Sequence, residues 1–597
     1  MPVSPGTSEF ETHGSSNQMR SDVKTYRSFC LLFALLFFAA CEKPAPVAVE
    51  TAPVSAETVA ADPARAAIAI PDSQSAQVTA DILAKGGNAV DAAVAAGFAL
   101  AVTEPEAGNI GGGGFMLIYL DDKAYFLDYR ETAPLAAHRD MYLDENGDVI
   151  EGMSTLGHLA SGVPGAVAGL WSAHQRFGKL PWRDLVMPAV ALARDGFVVH
   201  PDLADTIRYG TRKFDGKTNF SKYFASAKAG EIFRQPELAD TLQRIADEGA
   251  NGFYSGKTAE LIVAEMKRGN GLISAEDLQR YVAVWREPLT AKWRDFMVLS
   301  APPPSSGGFA VIQLLKIKDL LSHEFEGLEH NSAQYVHLIA EIEKRVFADR
   351  AEYLGDSDFV DVPMDRLLSD AYLKQRAREI SVDSISQLDN VHPGLESMDT
   401  THYSIVDFDG NAVATTTTLN LSFGSGVVVE GAGFLLNDEM DDFSVKPGVP
   451  NAFGVIGNTA NEIQPGKRML SSMSPTILTR DGKVDFVVGS PGGSTIFTTV
   501  FQMIVNSYDF GMTAVESAGA SRFHHQLLQP DVVTYSPSVP LPDETISQLS
   551  DRGYRAIPHP FDYGDVQTIR RVDDTWDAGS DPRNRGESRV LERGQQD

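Results

Sequence analysis

The sequence predicts a mixed α/β body built from stacked helical and sheet layers. Three observations point there. Residues 165–350 are mostly helical in pattern, whereas the chain beyond residue 400 turns to short strands separated by turns. The composition, 43% hydrophobic with charge well mixed, can fill a sizeable core.

Taken in order, the chain begins with a leader. Met19 to Arg27 form a basic stretch, followed by an apolar run over 28–40 and then Cys41. The run is too short to span a bilayer as a mature helix and fits a secretory signal. Phe38-Ala39-Ala40-Cys41 resembles the lipobox of bacterial lipoproteins, in which cleavage leaves the cysteine to be acylated. An ordinary signal peptide containing Cys41, or an uncleaved anchor, fits the same string. Residues 42–65 are rich in Pro, Ala, Val and Glu without period, as in a tether, so the ordered body is expected from about Ala66.

Within the body, 75–102 shows helical spacing interrupted at Gly86-Gly87-Asn88. Residues 115–120 and 124–127 predict a hairpin around Asp121-Asp122. Helices are expected over 179–196, 236–248, 257–268 and 331–353. Strands follow at 402–407, 412–419, 427–429, 433–436, 475–480 and 484–489, with a helix at about 495–510. No internal repeat is visible.

Charge and cysteine content narrow the function. Fifty-one Lys and Arg against 80 Asp and Glu give a net charge of −29, which argues against nucleic acid as a partner. It suits a soluble enzyme in a salty or extracytoplasmic setting. Both cysteines, Cys30 and Cys41, lie in the leader, so no disulfide and no thiolate metal site is expected in the body. No Gly-x-Ser-x-Gly elbow and no His-Glu-x-x-His helix is present, and neither a metal nor a cofactor is implied.

The chemistry concentrates in Asp399-Thr400-Thr401-His402-Tyr403-Ser404, then Gly410-Asn411, Thr415-Thr416-Thr417-Thr418-Leu419-Asn420 and Phe423-Gly424. Alone, a Thr-rich stretch is a strand with a hydroxyl face, and His402 reads as a structural histidine. The whole string, however, resembles the γ-glutamyltransferase signature. The likeness runs over roughly residues 66–585. It includes Gly86 to Ala93, Gly111-Gly112-Gly113-Gly114-Phe115, Asp128-Tyr129-Arg130-Glu131, Gly162-Val163-Pro164-Gly165 and Pro303 to Gly308. It continues in Met440-Asp441-Asp442-Phe443, Ser471 to Pro475 and Ser490-Pro491-Gly492-Gly493-Ser494.

A threonine at position 400 makes physical sense. A hydroxyl is a weak nucleophile without a base. Cutting the bond after Asp399 would free an α-amine, whose ordinary pKa of about 7.7–8.0 lets it take the hydroxyl proton. One residue then supplies both nucleophile and base.

The resemblance implies the rest. It implies the four-layer αββα sandwich of N-terminal-nucleophile hydrolases. It also implies self-cleavage into a large piece, 66–399, and a small catalytic piece, 400–597, that stay together. Thr418 would hydrogen-bond the nucleophile, and Gly492 and Gly493 would form the oxyanion hole. Arg130, with Ser471 and Ser472, would take the α-carboxylate of a γ-glutamyl group. Asn420, Glu439 and Asp442 would take its α-ammonium. Glutathione is the expected donor, with water, amino acids or peptides as acceptors, and the membrane is met only through a lipid on Cys41. Where the family often carries a lid tyrosine, this chain has Phe453. Two other readings stand beside this one: an acylase of the same fold acting on glutaryl side chains, and a non-catalytic lipoprotein module.

Overall fold

Alternation along one strand sorts its side chains between two cores. In β1 (Arg65–Ile70), Ala66, Ile68 and Ile70 join a core shared with helices, while Ala67 and Ala69 join a second core made by two facing sheets. The computed structural model describes residues 65–386, 400–452, 454–455, 457–527, 529 and 531–594. Cys30, Cys41, Asp399 and Phe453 lie outside the described residues, and so do the leader and nearly all of the tether. Arg65, assigned to the tether by composition, is already paired in β1 opposite Glu592.

The first sheet has seven strands. In chain order these are β1, β2 (Gly113–Leu120), β3 (Lys123–Asp128), β4 (Val284–Arg286), β7 (Thr400–Val406), β8 (Ala412–Thr418) and β13 (Glu587–Glu592). Their spatial order is β13-β1-β7-β8-β2-β3-β4, antiparallel throughout. The second sheet holds β5 (Leu289–Trp293), β6 (Phe296–Ser300), β9 (Thr476–Arg480), β10 (Lys483–Gly489), β11 (Gln567–Val572) and β12 (Thr575–Ser580). Its order is β12-β11-β10-β9-β6-β5.

Helices cover the outer face of each sheet. α1 (Ser73–Ala84) and α2 (Ala89–Thr103) pack on the first. α2 is apolar almost all round and buried along nearly its whole length, as a helix enclosed on every side must be. It starts at a capping box between Asn88 and Asp91. α3 (Gly307–Leu320) and α5 (Ile496–Tyr508) cover the second sheet, and α4 (Ala333–Tyr353) packs on α3 in the same core. The result is helix, sheet, sheet, helix: the four-layer αββα sandwich.

Most expected elements are present, including the hairpin of β2 and β3 and the helices at 182–195, 236–248 and 256–269. Two expectations change. Residues 427–429 and 433–436 are not strands of a sheet; they meet only at the single bridge Val428–Leu435. Left-handed Gly431 (φ +80°) and Gly433 (φ +78°) close them into a tight turn whose apolar side chains join the helical core. Conversely, the stretch read as mostly helical contains β4 to β6. There, alternate residues of Leu289-Thr290-Ala291-Lys292-Trp293 are more and less buried, the mark of a strand at a sheet edge.

Candidate active site

Strand parity carries Thr400 into the sandwich. Val406 belongs to the core between the sheets, so Thr400, His402 and Ser404 share that inner face, while Tyr403 and Ile405 face the helices. Thr418, at the end of β8, lies directly opposite Thr400 in register. The two hydroxyls are 3.2 Å apart. The N–H of Asn420 donates to the Thr418 oxygen at 2.8 Å, which fixes that oxygen in place. Asn420 holds a left-handed backbone (φ +81°), a conformation asparagine tolerates better than most residues.

The glycine run at 111–114 lets the chain approach this corner. A Cβ on Gly112 would lie 2.0 Å from the Thr418 carbonyl oxygen, and one on Gly111 would lie 1.9 Å from that of Leu435. Only hydrogen fits, so β2 can press against the end of β8.

His402 is structural, as its isolated reading suggested. Its ring nitrogens meet the hydroxyls of Thr416 at 2.8 Å and Ser404 at 3.1 Å. Burial pushes its pKa down to about 3, which keeps it neutral.

Gly492 and Gly493 both have positive φ, +132° and +53°. The Gly492 carbonyl is held by the Thr495 N–H at 2.9 Å and the Thr495 hydroxyl at 2.7 Å. In a trans peptide the N–H points opposite to the C=O, so this grip turns the Gly493 N–H away from Thr495. Ser494 is held in turn by Gln526.

One pocket collects most of these groups. Its walls include Thr400, Thr418, Asn420, Gly493, Arg130, Glu439, Asp442, Ser471 and Ser472; Gly492 is not among the lining residues. Arg130 is buried. Its guanidinium makes a 2.5 Å ion pair with Glu439 that lacks hydrogen-bond alignment, and it donates to Asp442. Glu131 stands 3.6 Å away. Three carboxyls around one guanidinium cannot all ionise cheaply. Burial holds Glu131, Glu439 and Asp442 above the ordinary carboxylate range, while Arg130 pulls each of them down.

The separate carboxylate and ammonium partners expected from the sequence are thus in direct contact. One cation of the pocket carries no mark in the sequence. Arg350, on α4, lines the pocket and donates to Ser306 at 2.9 Å and to Ser472 at 3.2 Å. In sequence it sits in a charged helical stretch, where a solvated face is the natural reading. Asn451 also lines the pocket and donates to Asp442 at 3.3 Å.

Comparison with known proteins fits this geometry. The family model for gamma-glutamyltranspeptidase matches residues 75–591. The chain is 56% identical to a glutathione hydrolase proenzyme of Pseudomonas aeruginosa, covering 91% of this chain and 98% of the relative. Among solved structures, a gamma-glutamyltranspeptidase from Pseudomonas nitroreducens is 56% identical with a TM-score of 0.53, covering 53% of this chain and 95% of that one. A cephalosporin acylase from Bacillus halodurans is 26% identical with a TM-score of 0.76, covering 91% and 98%.

Proposed function

The chain belongs to the γ-glutamyltranspeptidase family, and from that premise we propose that Thr400 is the residue carrying its chemistry. The enzyme is a self-processing glutathione hydrolase and γ-glutamyltransferase. The observation that supports the site most is the Thr400–Thr418 hydroxyl pair in one pocket with Arg130, Glu439 and Asp442.

Maturation comes first. Thr400 Oγ attacks the carbonyl carbon of Asp399. The C–N bond breaks, the proton goes to the departing nitrogen, and an ester remains. Water hydrolyses the ester, leaving the Asp399 carboxylate, the Thr400 hydroxyl and a free Thr400 amine. Cleavage would not part the pieces. β1 of the first piece lies between β7 and β13 of the second, so backbone hydrogen bonds on both of its edges tie them together.

In turnover the new amine takes the Thr400 hydroxyl proton, and Oγ attacks the γ-carbonyl of the donor. The negative oxygen of the tetrahedral intermediate is received by the backbone N–H groups at Gly492 and Gly493; one such donor is worth roughly 2.7–4 kcal/mol. The leaving amine takes the proton and departs, leaving a γ-glutamyl ester on Thr400. Water, or the amine of an amino acid or peptide, then gives up a proton to the same base and attacks the ester.

Arg130, Ser471 and Ser472 receive the α-carboxylate. Asn420, Glu439 and Asp442 receive the α-ammonium, which balances the excess of carboxyls around Arg130. That excess favours a γ-glutamyl group over the glutaryl groups of an acylase, which carry no ammonium.

Thr400→Ala should remain a single chain and release no amine from a γ-glutamyl anilide. The parent should give two bands, the smaller beginning Thr400-Thr401-His402. A different N-terminus would remove Thr400 from the role. We also assign the leader to export and Cys41 to lipid anchoring; among the described residues no helix is long and apolar enough to cross a membrane. The mass of the mature N-terminus tests the anchor: an acylated Cys41 is expected, and an unmodified N-terminus would overturn it.

A further inference from the structure

The limb carrying the acids and the limb carrying the serines are joined by one buried amide. Asn461 donates from Nδ2 to the backbone carbonyl of Asp442 at 2.7 Å. Its Oδ1 accepts the N–H of Leu470, the residue before Ser471, at 3.0 Å. Its own carbonyl accepts the N–H of Ser444 at 2.8 Å. A primary amide offers a donor and an acceptor side by side in one plane, so this side chain can span two backbone segments that no ladder connects. The Leu470 carbonyl, in turn, is 3.5 Å from the Arg130 guanidinium.

The turn that presents Asn461 is itself clamped. Lys467 is fully buried, and its Nζ donates to the carbonyls of Ala460 at 2.7 Å and Glu462 at 3.0 Å, on either side of Asn461. The Lys467 backbone carbonyl accepts the N–H of Ala133, three residues beyond Arg130. A small apolar cluster including Met440, Phe443, Ile463 and Met469 packs beside the same segments. Charge-assisted bonds of this kind are among the stronger ones in a fold, so the turn is set before substrate arrives.

We propose that Asn461 is a positioning residue that fixes the distance between the Asp442 limb and the Ser471 limb of the substrate pocket, with Lys467 holding it in place. Asn461 does not line the pocket and acts through the backbone of its neighbours. The inference rests on the reading that this pocket takes the α-ammonium and α-carboxylate of a γ-glutamyl donor. It separates two functions of the enzyme. Self-cleavage uses Thr400 on β7, whose hydroxyl lies beside that of Thr418 on β8. Donor binding needs the two limbs at their proper spacing.

The test uses full-length Asn461→Ala and Asn461→Asp beside the parent. Self-cleavage is followed by gel, and KM and kcat are measured on a γ-glutamyl anilide. Both variants are expected to mature fully. KM should rise about ten- to a hundredfold for Asn461→Ala, the loss of two hydrogen bonds at a buried position. It should rise less for Asn461→Asp, which keeps the acceptor for Leu470, and kcat should change by less than about threefold in both. Mature variants with the parent's KM overturn the proposal. So do variants that lose kcat at unchanged KM, and so does failure of both to mature, which makes the amide a folding element only. A parent without γ-glutamyl activity points instead to the functional reading itself, so the two failures are distinct.

Discussion

Arg130 shows how one side chain acts in this site. It is 1% exposed, with Glu439, Asp442 and Glu131 gathered around it. Its planar fork serves two acids at once, and an ammonium cannot reproduce that geometry. Arg130→Lys should therefore keep self-cleavage and raise KM for the γ-glutamyl donor. Losing one charge-assisted contact costs about 1.5–3 kcal/mol, or roughly ten- to a hundredfold. An unchanged KM would take Arg130 out of donor binding. Residues of this kind were legible because they sit in compact strings, such as Asp128-Tyr129-Arg130-Glu131 and Met440-Asp441-Asp442-Phe443, where several chemical types coincide. Arg350 and Asn461 were not legible. Arg350 takes its place only once distant segments meet, reaching Ser472 across 122 positions, whereas Asn461 bonds partners 19 and 9 positions away and no chemical string around it marks it.

At the scale of elements, the site is a product of strand ends and tight approaches. β7 and β8 bring Thr400 opposite Thr418, and the glycines before β2 let that strand crowd the same corner. Ser305 and Ser306 grip the Ser471–Met473 loop through its backbone, with bonds of 2.7 Å to the Met473 carbonyl and 2.8 Å to that of Ser471. Gly307 has a steric cause of its own: a Cβ there would meet the Ser474 hydroxyl at 2.1 Å. Long periodic segments and hairpins were readable because their pattern is local. The order of strands was not, since β1 and β13 pair across most of the chain and only tertiary contact sets that register. The pair at 427–436 departs from its local pattern. Val427 to Val429 and Phe434 to Leu436 carry the residue types of a strand, yet two left-handed glycines fold them back before a ladder can form.

For the whole molecule, buried acid governs the response to pH. The chain carries a formal charge of −29, and several of its carboxyls are enclosed without a full set of partners. Burial raises Glu104, Glu343, Asp438, Glu439 and Asp565 well above the ordinary range, lifts Glu131 to about 8 and lifts Asp441 to about 6. At pH 7 all of these but Asp441, which does so only below about pH 6, hold protons in the folded chain that the unfolded chain, with ordinary carboxyl pKa values of about 4, has already released. Because the unfolded state then binds fewer protons, stability falls as pH rises through this region and increases as pH falls. Each group that stays protonated only when folded contributes about 1.4 kcal/mol per pH unit. Relief of net repulsion acts in the same direction. The buried histidines oppose this: His402 and His524 are pushed down to about 3, and His525 to about 4. Their unfolded counterparts take up protons only below about pH 6.5, so their penalty starts there. The uncut Thr400→Ala chain gives a single species for the measurement. Its urea midpoint should rise from pH 8 to pH 6, flatten as the histidines engage, and fall below about pH 4, where the carboxylates of the unfolded chain protonate as well. Unfolding at pH 7 in weakly buffered solution should release protons. A midpoint that is constant or declines between pH 8 and pH 6, or proton uptake on unfolding at pH 7, would show that these carboxyls are ionised in the folded enzyme and that the interior compensates them by contacts other than protons.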